Sequence, residues 1–261
     1  MKETQEKTGS LLGTIEGRKS RRSLLKGAIA GAAGVTGLTA VGAGVFSSLK
    51  PHAAFATAAG LSCSDTVQSI INIAATAEEL AVVFYSNGIN KAATLGISGQ
   101  NLTYLQAAVV EEQLHLNLLL KAGAQPLTNV FSLPHSWNTF TDINLFISTL
   151  QQLETAFESA YIAAVKEFGE MGQFDLALLA AQIATIEAEH RAIGRSIINT
   201  KEAANNWAFT PVYVSSVGDA VNVLSQEGYL SPSGKNTFTY QPVSTQSSLV
   251  SQRTPYSAET C

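Results

Sequence analysis

The sequence predicts an all-α protein, a four-helix bundle with one long crossover between its second and third helices and an irregular C-terminal tail. Of its 261 residues, 46% are hydrophobic and only 14% are charged, against roughly 25% charged in a usual soluble protein. Four long stretches carry apolar side chains at the three-and-four spacing of a helix face. The connections between them are short, long and short, which is the order of a bundle with a single crossover.

Residues that favour helix ends separate the four stretches. Thr141 is the predicted N-cap of the third helix. Glycine follows or closes each of the first three helices, at Gly88, Gly123 and Gly169. The predicted helices span residues 65–89, 99–121, 142–168 and 174–205. We therefore place the bundle domain at 57–207 and the tail at 208–261, where a short helix near 217–226 fits the pattern.

The N-terminal 56 residues differ in charge from the rest of the chain. They hold 8 of the 16 basic residues but only 3 of the 20 acidic ones. The segment from Ser20 to Lys26 contains Arg21 and Arg22 and precedes an uncharged, glycine-rich run that ends near Ala56. It resembles a twin-arginine signal peptide. The resemblance implies recognition by the twin-arginine translocation machinery and export to the periplasm or the extracellular side of the cell envelope. The alternative is a retained membrane anchor, since the run is long enough to span a bilayer.

Composition excludes several classes of protein. High apolar and low charged content is the opposite of the signature of intrinsic disorder. Two cysteines cannot form a disulfide scaffold, and Cys63 and Cys261 either pair with each other or remain free thiols. A net charge of -4 gives no reason to expect nucleic acid as a partner.

The apolar stripe of each predicted helix is interrupted near its middle by glutamate, with histidine nearby in two of them. The stripe glutamates are Glu78, Glu112, Glu154 and Glu187. A buried carboxylate without a partner costs several kcal/mol or becomes protonated, and no lysine or arginine lies on these stripes. Two divalent cations would balance four carboxylates. Mixed carboxylate and imidazole ligands suit iron, manganese or zinc.

The spacing of these residues repeats. Glu112 and His115 form one Glu-x-x-His pair, and Glu187 and His190 form another. Residues three apart on a helix project from one face, so each pair can address one ion. Each pair follows a stripe glutamate by 34 or 33 residues, in a chain with four histidines in all. Taken singly, each histidine is more simply explained as a satisfied core residue, whereas the repeat favours a metal site.

With these motifs the chain resembles the ferritin-like superfamily of di-iron and di-manganese carboxylate proteins, and most closely exported ferritin-like domain proteins related to plant desiccation-related proteins. The resemblance covers about residues 64–207. It implies six metal ligands, with Glu112 and Glu187 bridging two ions of iron or manganese, and zinc less favoured: Glu78, Glu112, His115, Glu154, Glu187 and His190. The tail replaces the short fifth helix of cage ferritins, so we do not predict an iron-storage shell.

The roles of neighbouring residues stay open at this point. Glu79 and Glu111 either face solvent or support the ligands, and Glu158 is either a further ligand or a rim residue. Tyr85 and Tyr161 are either plain core aromatics or hydrogen-bond partners of ligands. Arg191 and Arg195 either pair with these glutamates or lie on the surface, Glu189 is expected to face solvent, and His135 is expected in an exposed loop.

Three functions fit this sequence. The first is redox chemistry with dioxygen or peroxide, either ferroxidase-like or peroxide-consuming, as protection against oxidants. The second is a non-catalytic metal-binding stress protein of the cell envelope. The third is a structural module with an empty or zinc-filled site. The sequence also leaves open whether copies of the chain assemble into a homo-oligomer.

Overall fold

The computed structural model of the protein describes residues 65–198, 207–253 and 255. The predicted signal segment, Cys63 and Cys261 lie outside these residues. The helices are α1 (Val67–Asn90), α2 (Ala92–Leu95), α3 (Gly99–Lys121), α4 (Ile143–Glu170), α5 (Phe174–Ile198) and α6 (Val217–Gln226). A 3-10 helix spans Ser136–Phe140, and two short strands, β1 (Val130–Phe131) and β2 (Phe238–Thr239), form an antiparallel pair.

The predicted fold class is confirmed, with α1, α3, α4 and α5 as the four bundle helices. α1 packs mainly on α3, and α4 packs mainly on α5, so each half of the bundle is a helical hairpin. The crossover between α3 and α4 carries β1 and the 3-10 helix. By length and composition α1 could also span a membrane, but 67% of its apolar window is buried within the bundle, as expected for a core helix.

The ends of α1 and α4 differ from the sequence prediction by one or two residues, and two of these differences have a clear structural reason. The N-cap of α4 is Asp142, not Thr141, because the Asp142 carboxylate accepts hydrogen bonds from the backbone N–H of Asn144 (2.8 Å) and Leu145 (3.3 Å). Gly88 does not end α1, which continues to Asn90. A Cβ at Gly88 would lie 2.5 Å from the Phe146 ring, so this glycine permits close packing of α4 rather than a turn. The predicted end of the fourth helix lies outside the described residues.

The core consists of two apolar clusters at opposite ends of the bundle. The first contains Leu80, Phe84 and Phe146, with the last two rings stacked at 4.8 Å. The second contains Ile71 of α1 and Ile183 of α5. Residues 70–75 of α1 belong to the second cluster and 80–85 to the first, so the middle of the helix lies between them. The polar residues at mid-helix therefore occupy the layer that separates two apolar cores.

The tail is mostly irregular, as predicted, and the short helix expected near 217–226 is α6. The tail nevertheless packs closely on the bundle. Tyr229 is buried, its hydroxyl donates to Gln152 Oε1 at 2.6 Å, and its carbonyl accepts from the backbone N–H of Ser132 at 2.9 Å. At the start of α6, Asp65 and Glu167 accept hydrogen bonds from backbone N–H groups at 2.7 and 2.9 Å. The tail thus joins the bundle to its crossover.

Candidate metal centre

Six buried or nearly buried polar side chains meet in the layer between the two apolar clusters. Each lies near the middle of its helix, and each helix of the bundle contributes at least one. The residues are Glu78 of α1, Glu112 and His115 of α3, Glu154 of α4, and Glu187 and His190 of α5. His115 is the most exposed, at 13% of its side chain. The structure brings together all six residues that the sequence singled out.

The six side chains form two groups that share two glutamates. In each group the ligand atoms all lie within 4.8 Å of one another. The first group is Glu78, Glu112, His115 and Glu187, and the second is Glu112, Glu154, Glu187 and His190. The shared residues, Glu112 and Glu187, are the two that the sequence resemblance names as bridging carboxylates.

The distances around His115 suit a shared cation better than direct ion pairs. Nδ1 of His115 lies 3.6 Å from a carboxylate oxygen of Glu78, of Glu112 and of Glu187. Two ligand atoms bound at about 2.1 Å and at a tetrahedral angle would be about 3.4 Å apart. Nδ1 of His190 lies 2.9 Å from Glu112 Oε1 and 3.8 Å from Glu154 Oε2.

The unsatisfied atoms of the site provide the test of fit for metal ions. Eight buried ligand atoms make no hydrogen bond to any described residue: Glu78 Oε2, Glu154 Oε2, both carboxylate oxygens of Glu112 and of Glu187, and Nδ1 of His115 and of His190. Buried polar atoms in proteins are normally hydrogen-bonded. Eight unpaired atoms converging on one layer have the donor chemistry and the placement for two cations.

Two tyrosines donate hydrogen bonds to the carboxylate oxygens of Glu78 and Glu154 that are not among these eight atoms. The Tyr161 hydroxyl donates to Glu78 Oε1, and the Tyr85 hydroxyl donates to Glu154 Oε1. In each case a tyrosine of one helix hairpin holds a glutamate of the other. The structure therefore decides between the two alternatives, because both tyrosines position carboxylates of the site and are not plain core aromatics.

The protonation of the site reflects its burial. Burial raises the pKa of Glu78 to about 8 and that of Glu154 to about 7. Burial and the charges of neighbouring glutamates also raise the pKa of Glu187 well above its ordinary value. Although burial alone would raise the pKa of Glu112, the charge of His190 and the proximity of both imidazoles lower it. Without cations, protons therefore supply the charge that balances this cluster.

The pKa values of the two histidines are also raised, so the imidazoles favour the protonated, positively charged form beside the glutamates. Burial alone would lower their pKa, but Glu78 and Glu112 raise the pKa of His115 to about 9. The charge of Glu112 likewise raises the pKa of His190 well above its usual range. A metal ligand must be deprotonated, so cations and protons compete for the same atoms.

We expect the metal-free protein to lose stability as the pH rises from about 5 to about 9. The pKa of Glu78, Glu154 and His115 is higher in the native state than the ordinary 4.5, 4.5 and 6.5, so the native state binds more protons in this window. The free energy of unfolding should fall by more than about 1.4 kcal/mol over this range, the free energy that corresponds to one pKa unit. Urea unfolding of chelator-treated protein between pH 5.5 and 9 measures it.

The same urea unfolding series is repeated with added Mn²⁺ for comparison. Because cations replace protons, the stabilisation by Mn²⁺ should grow with pH. If the urea midpoint of the metal-free protein instead rises between pH 5.5 and 9, the cluster does not hold the extra protons inferred from these pKa values.

A further ring of residues supports the site. Nε2 of His190 lies 2.8 Å from Glu111 Oε2, which makes Glu111 a supporting residue. Glu158 belongs to neither group of ligand atoms. It accepts a hydrogen bond from Nε of the buried Arg191 at 2.9 Å, and Arg191 and Arg195 stack on Trp207. Arg191 is therefore not a surface residue.

Three neighbours can now be placed by exposure. Glu79 is 6% exposed, so a solvent-facing position is wrong for this residue, because α1 is enclosed by α3, α4 and α6. Burial raises its pKa to about 7, and it belongs to neither ligand group. Glu189 and His135 are exposed, as expected.

Sequence reasoning missed two features around the site. Gln113 is buried beside Glu112, and its Oε1 accepts hydrogen bonds from the Tyr240 hydroxyl and the Val243 N–H, both at 3.0 Å. A cavity of about 80 Å³ approaches the site between α3 and α5. Its polar lining residues are Tyr85, Tyr104, Glu111, Glu189 and His190. Neither feature has a local sequence signal, because both depend on contacts between distant segments.

The comparison with known families agrees with this geometry. A family model described as a ferritin-like domain matches residues 66–200, which includes all four bundle helices and all six residues of the site. Comparisons with curated proteins and with solved structures found no match. The chain belongs to the ferritin-like domain family.

Proposed function

We propose that this protein is an exported dinuclear iron or manganese protein whose centre carries out redox chemistry with dioxygen or peroxide. The observation that carries the proposal is the set of eight buried ligand atoms without hydrogen bonds, divided into two groups that share Glu112 and Glu187. Four glutamates and two histidines suit iron and manganese better than a structural zinc site, which is usually rich in cysteine.

The chain's own residues would prepare the site for this chemistry. Bound ions of iron or manganese would each supply one electron on oxidation from the divalent to the trivalent state, and two electrons with two protons reduce dioxygen to hydrogen peroxide. Tyr85 and Tyr161 hold Glu154 and Glu78 in place, and Glu111 orients the His190 ring. The two apolar clusters on either side keep bulk water away from these side chains.

Metal analysis of the purified full chain, produced through its own N-terminal segment, tests the proposal. We expect about two iron or manganese ions per chain. The loaded protein should then consume dioxygen or peroxide faster than the same ions in buffer. Fewer than about one transition metal per chain, or a site filled with zinc, would overturn the proposal.

A non-catalytic role is the competing function at the same site. The resemblance to desiccation-related proteins is compatible with a metal-sequestering stress protein. Two bound ions without any turnover of dioxygen or peroxide would support sequestration instead of redox chemistry. Elemental analysis and turnover measured on one sample therefore separate the two functions.

We further propose that residues 1–56 direct export by the twin-arginine route. The paired Arg21 and Arg22, the following leucines and the uncharged run support this proposal. Replacing both arginines with lysine should leave the unprocessed chain in the cytoplasm, as measured by cell fractionation. Undiminished export of the double variant would contradict the route.

A further inference from the structure

A second cavity lies against the opposite side of the site from His190. It has a volume of about 80 Å³ and is formed by α1, α3, α4 and α5, with α6 closing one end. Every lining residue is apolar except Tyr161. The Tyr161 hydroxyl donates to Glu78, so only its ring faces the cavity. The cavity therefore offers no hydrogen-bonding partner to an occupant.

This lining selects the chemistry of the occupant. A buried water needs two to four polar partners, and engineered apolar cavities of about 150 Å³ stay dry and bind benzene or xenon. The present cavity has about half that volume, which suits a small apolar molecule rather than an aromatic ring. Ions and peroxide are excluded because they would lose their hydration without replacement.

The lining of the cavity includes residues at the surface and residues that adjoin the site. Ala122 of its lining is exposed and Leu118 is half-buried, whereas Ala77 and Tyr161 are buried. Ala77 precedes Glu78 in α1, and Tyr161 is hydrogen-bonded to Glu78. An apolar molecule in the cavity would be separated from the first group of ligand atoms only by this wall. The polar cavity at His190 approaches the second group.

We infer that the apolar cavity holds dioxygen and supplies it to the metal centre. Dioxygen is small and apolar, and it is the one oxidant of the proposed function that such a lining accepts. Polar species, including peroxide and metal ions, would use the cavity lined by Glu111, Glu189 and His190. The role of dioxygen rests on the proposed function, whereas the binding of a small apolar molecule does not.

Xenon provides a probe that needs no metal. In metal-free protein, xenon should shift the methyl NMR signals of the lining residues Ile71 and Ile183. Ala164→Leu fills the cavity from α4 and should abolish these shifts. Ala163→Leu is the matched control, because Ala163 is equally buried on the same helix but does not line the cavity. If Ala164→Leu does not fold, the smaller change Ala180→Val fills the cavity from α5.

Oxidation of the iron-loaded protein then tests the role of dioxygen. At limiting dioxygen, Ala164→Leu should slow iron oxidation by roughly tenfold, equivalent to about 1.36 kcal/mol in the barrier, whereas Ala163→Leu should match wild type. With peroxide as the oxidant, all three proteins should react at the same rate.

Each contrary result has a distinct meaning. Absence of xenon shifts in wild type would overturn the cavity as a binding site. Equal dioxygen rates in all three proteins, or an equal slowing with peroxide, would overturn dioxygen delivery. Bound xenon with no iron oxidation by either oxidant would overturn the proposed function and, with it, the role of dioxygen.

Discussion

Replacing Glu187 with glutamine is expected to release the metal ions and, at the same time, to stabilise the metal-free protein. Glu187 belongs to both groups of ligand atoms, and both its carboxylate oxygens are buried without hydrogen bonds to described residues. Loss of a shared ligand should lower metal affinity by more than about 100-fold, the upper end for changes in residues that only support a ligand. Metal content after dialysis measures this effect.

The stabilisation arises from the removal of a buried acid. Burial and the charges of Glu112, Glu78 and Glu154 raise the pKa of Glu187 well above its ordinary value. Above about pH 4.5 the unfolded chain carries this carboxylate ionised, so the native state must take up a proton, which costs free energy. Glutamine needs no proton, so we expect the variant to be more stable at neutral pH, by on the order of 1.4 kcal/mol, the free energy that corresponds to one pKa unit.

Urea unfolding with and without Mn²⁺ tests the two opposite effects on one variant. Glu170→Gln is the control, because Glu170 is 66% exposed at the end of α4 and pairs only loosely with Lys166 at 3.7 Å. It should change neither metal content nor stability. A Glu187→Gln protein that keeps its metal would show that this glutamate is not a ligand.

Replacing Tyr229 with alanine is expected to destabilise the whole domain by about 3–5 kcal/mol, the usual cost of removing a large buried aromatic side chain. Tyr229 is 1% exposed although it lies in the irregular tail. It belongs to the first apolar cluster, and its hydroxyl donates a hydrogen bond to Gln152 of α4. The tail therefore contributes directly to the stability of the bundle.

Two further variants separate packing from the hydrogen bond. Tyr229→Phe keeps the ring and should cost only about 1 kcal/mol. Leu249→Ala, in an exposed part of the tail at 47%, should have almost no effect. A change below 1 kcal/mol for Tyr229→Ala in urea unfolding would mean that the tail is separate from the domain core.

The sequence alone was sufficient to predict the four bundle helices, the short helix of the tail and the members of the central cluster. Helical periodicity assigns each residue to a face, so Glu78, Glu112, Glu154 and Glu187 could be placed on buried stripes without coordinates. Two Glu-x-x-His pairs added His115 and His190. Both inferences depend on spacing within one helix, which the chain determines locally.

Local patterns also account for the errors. Asp142 and Thr141 are both good N-caps by type, and only the backbone geometry selects Asp142. Gly88 is a common helix stop, yet in this protein the ring of Phe146 packs where its side chain would lie. For Glu79 the sequence left two positions open, facing solvent or supporting the ligands, and the three helices that cover α1 exclude the first.

The sequence by itself determined the fold class, the faces of the four helices and the six polar residues of their central layer. Only the tertiary structure decided what those residues contact, because contacts depend on the register between segments that are distant in the chain. It divided the six into two groups around Glu112 and Glu187, and it paired Tyr161 with Glu78 and Tyr85 with Glu154. The cavities on either side arise in the same way, since each is a gap between helices that no single helix specifies.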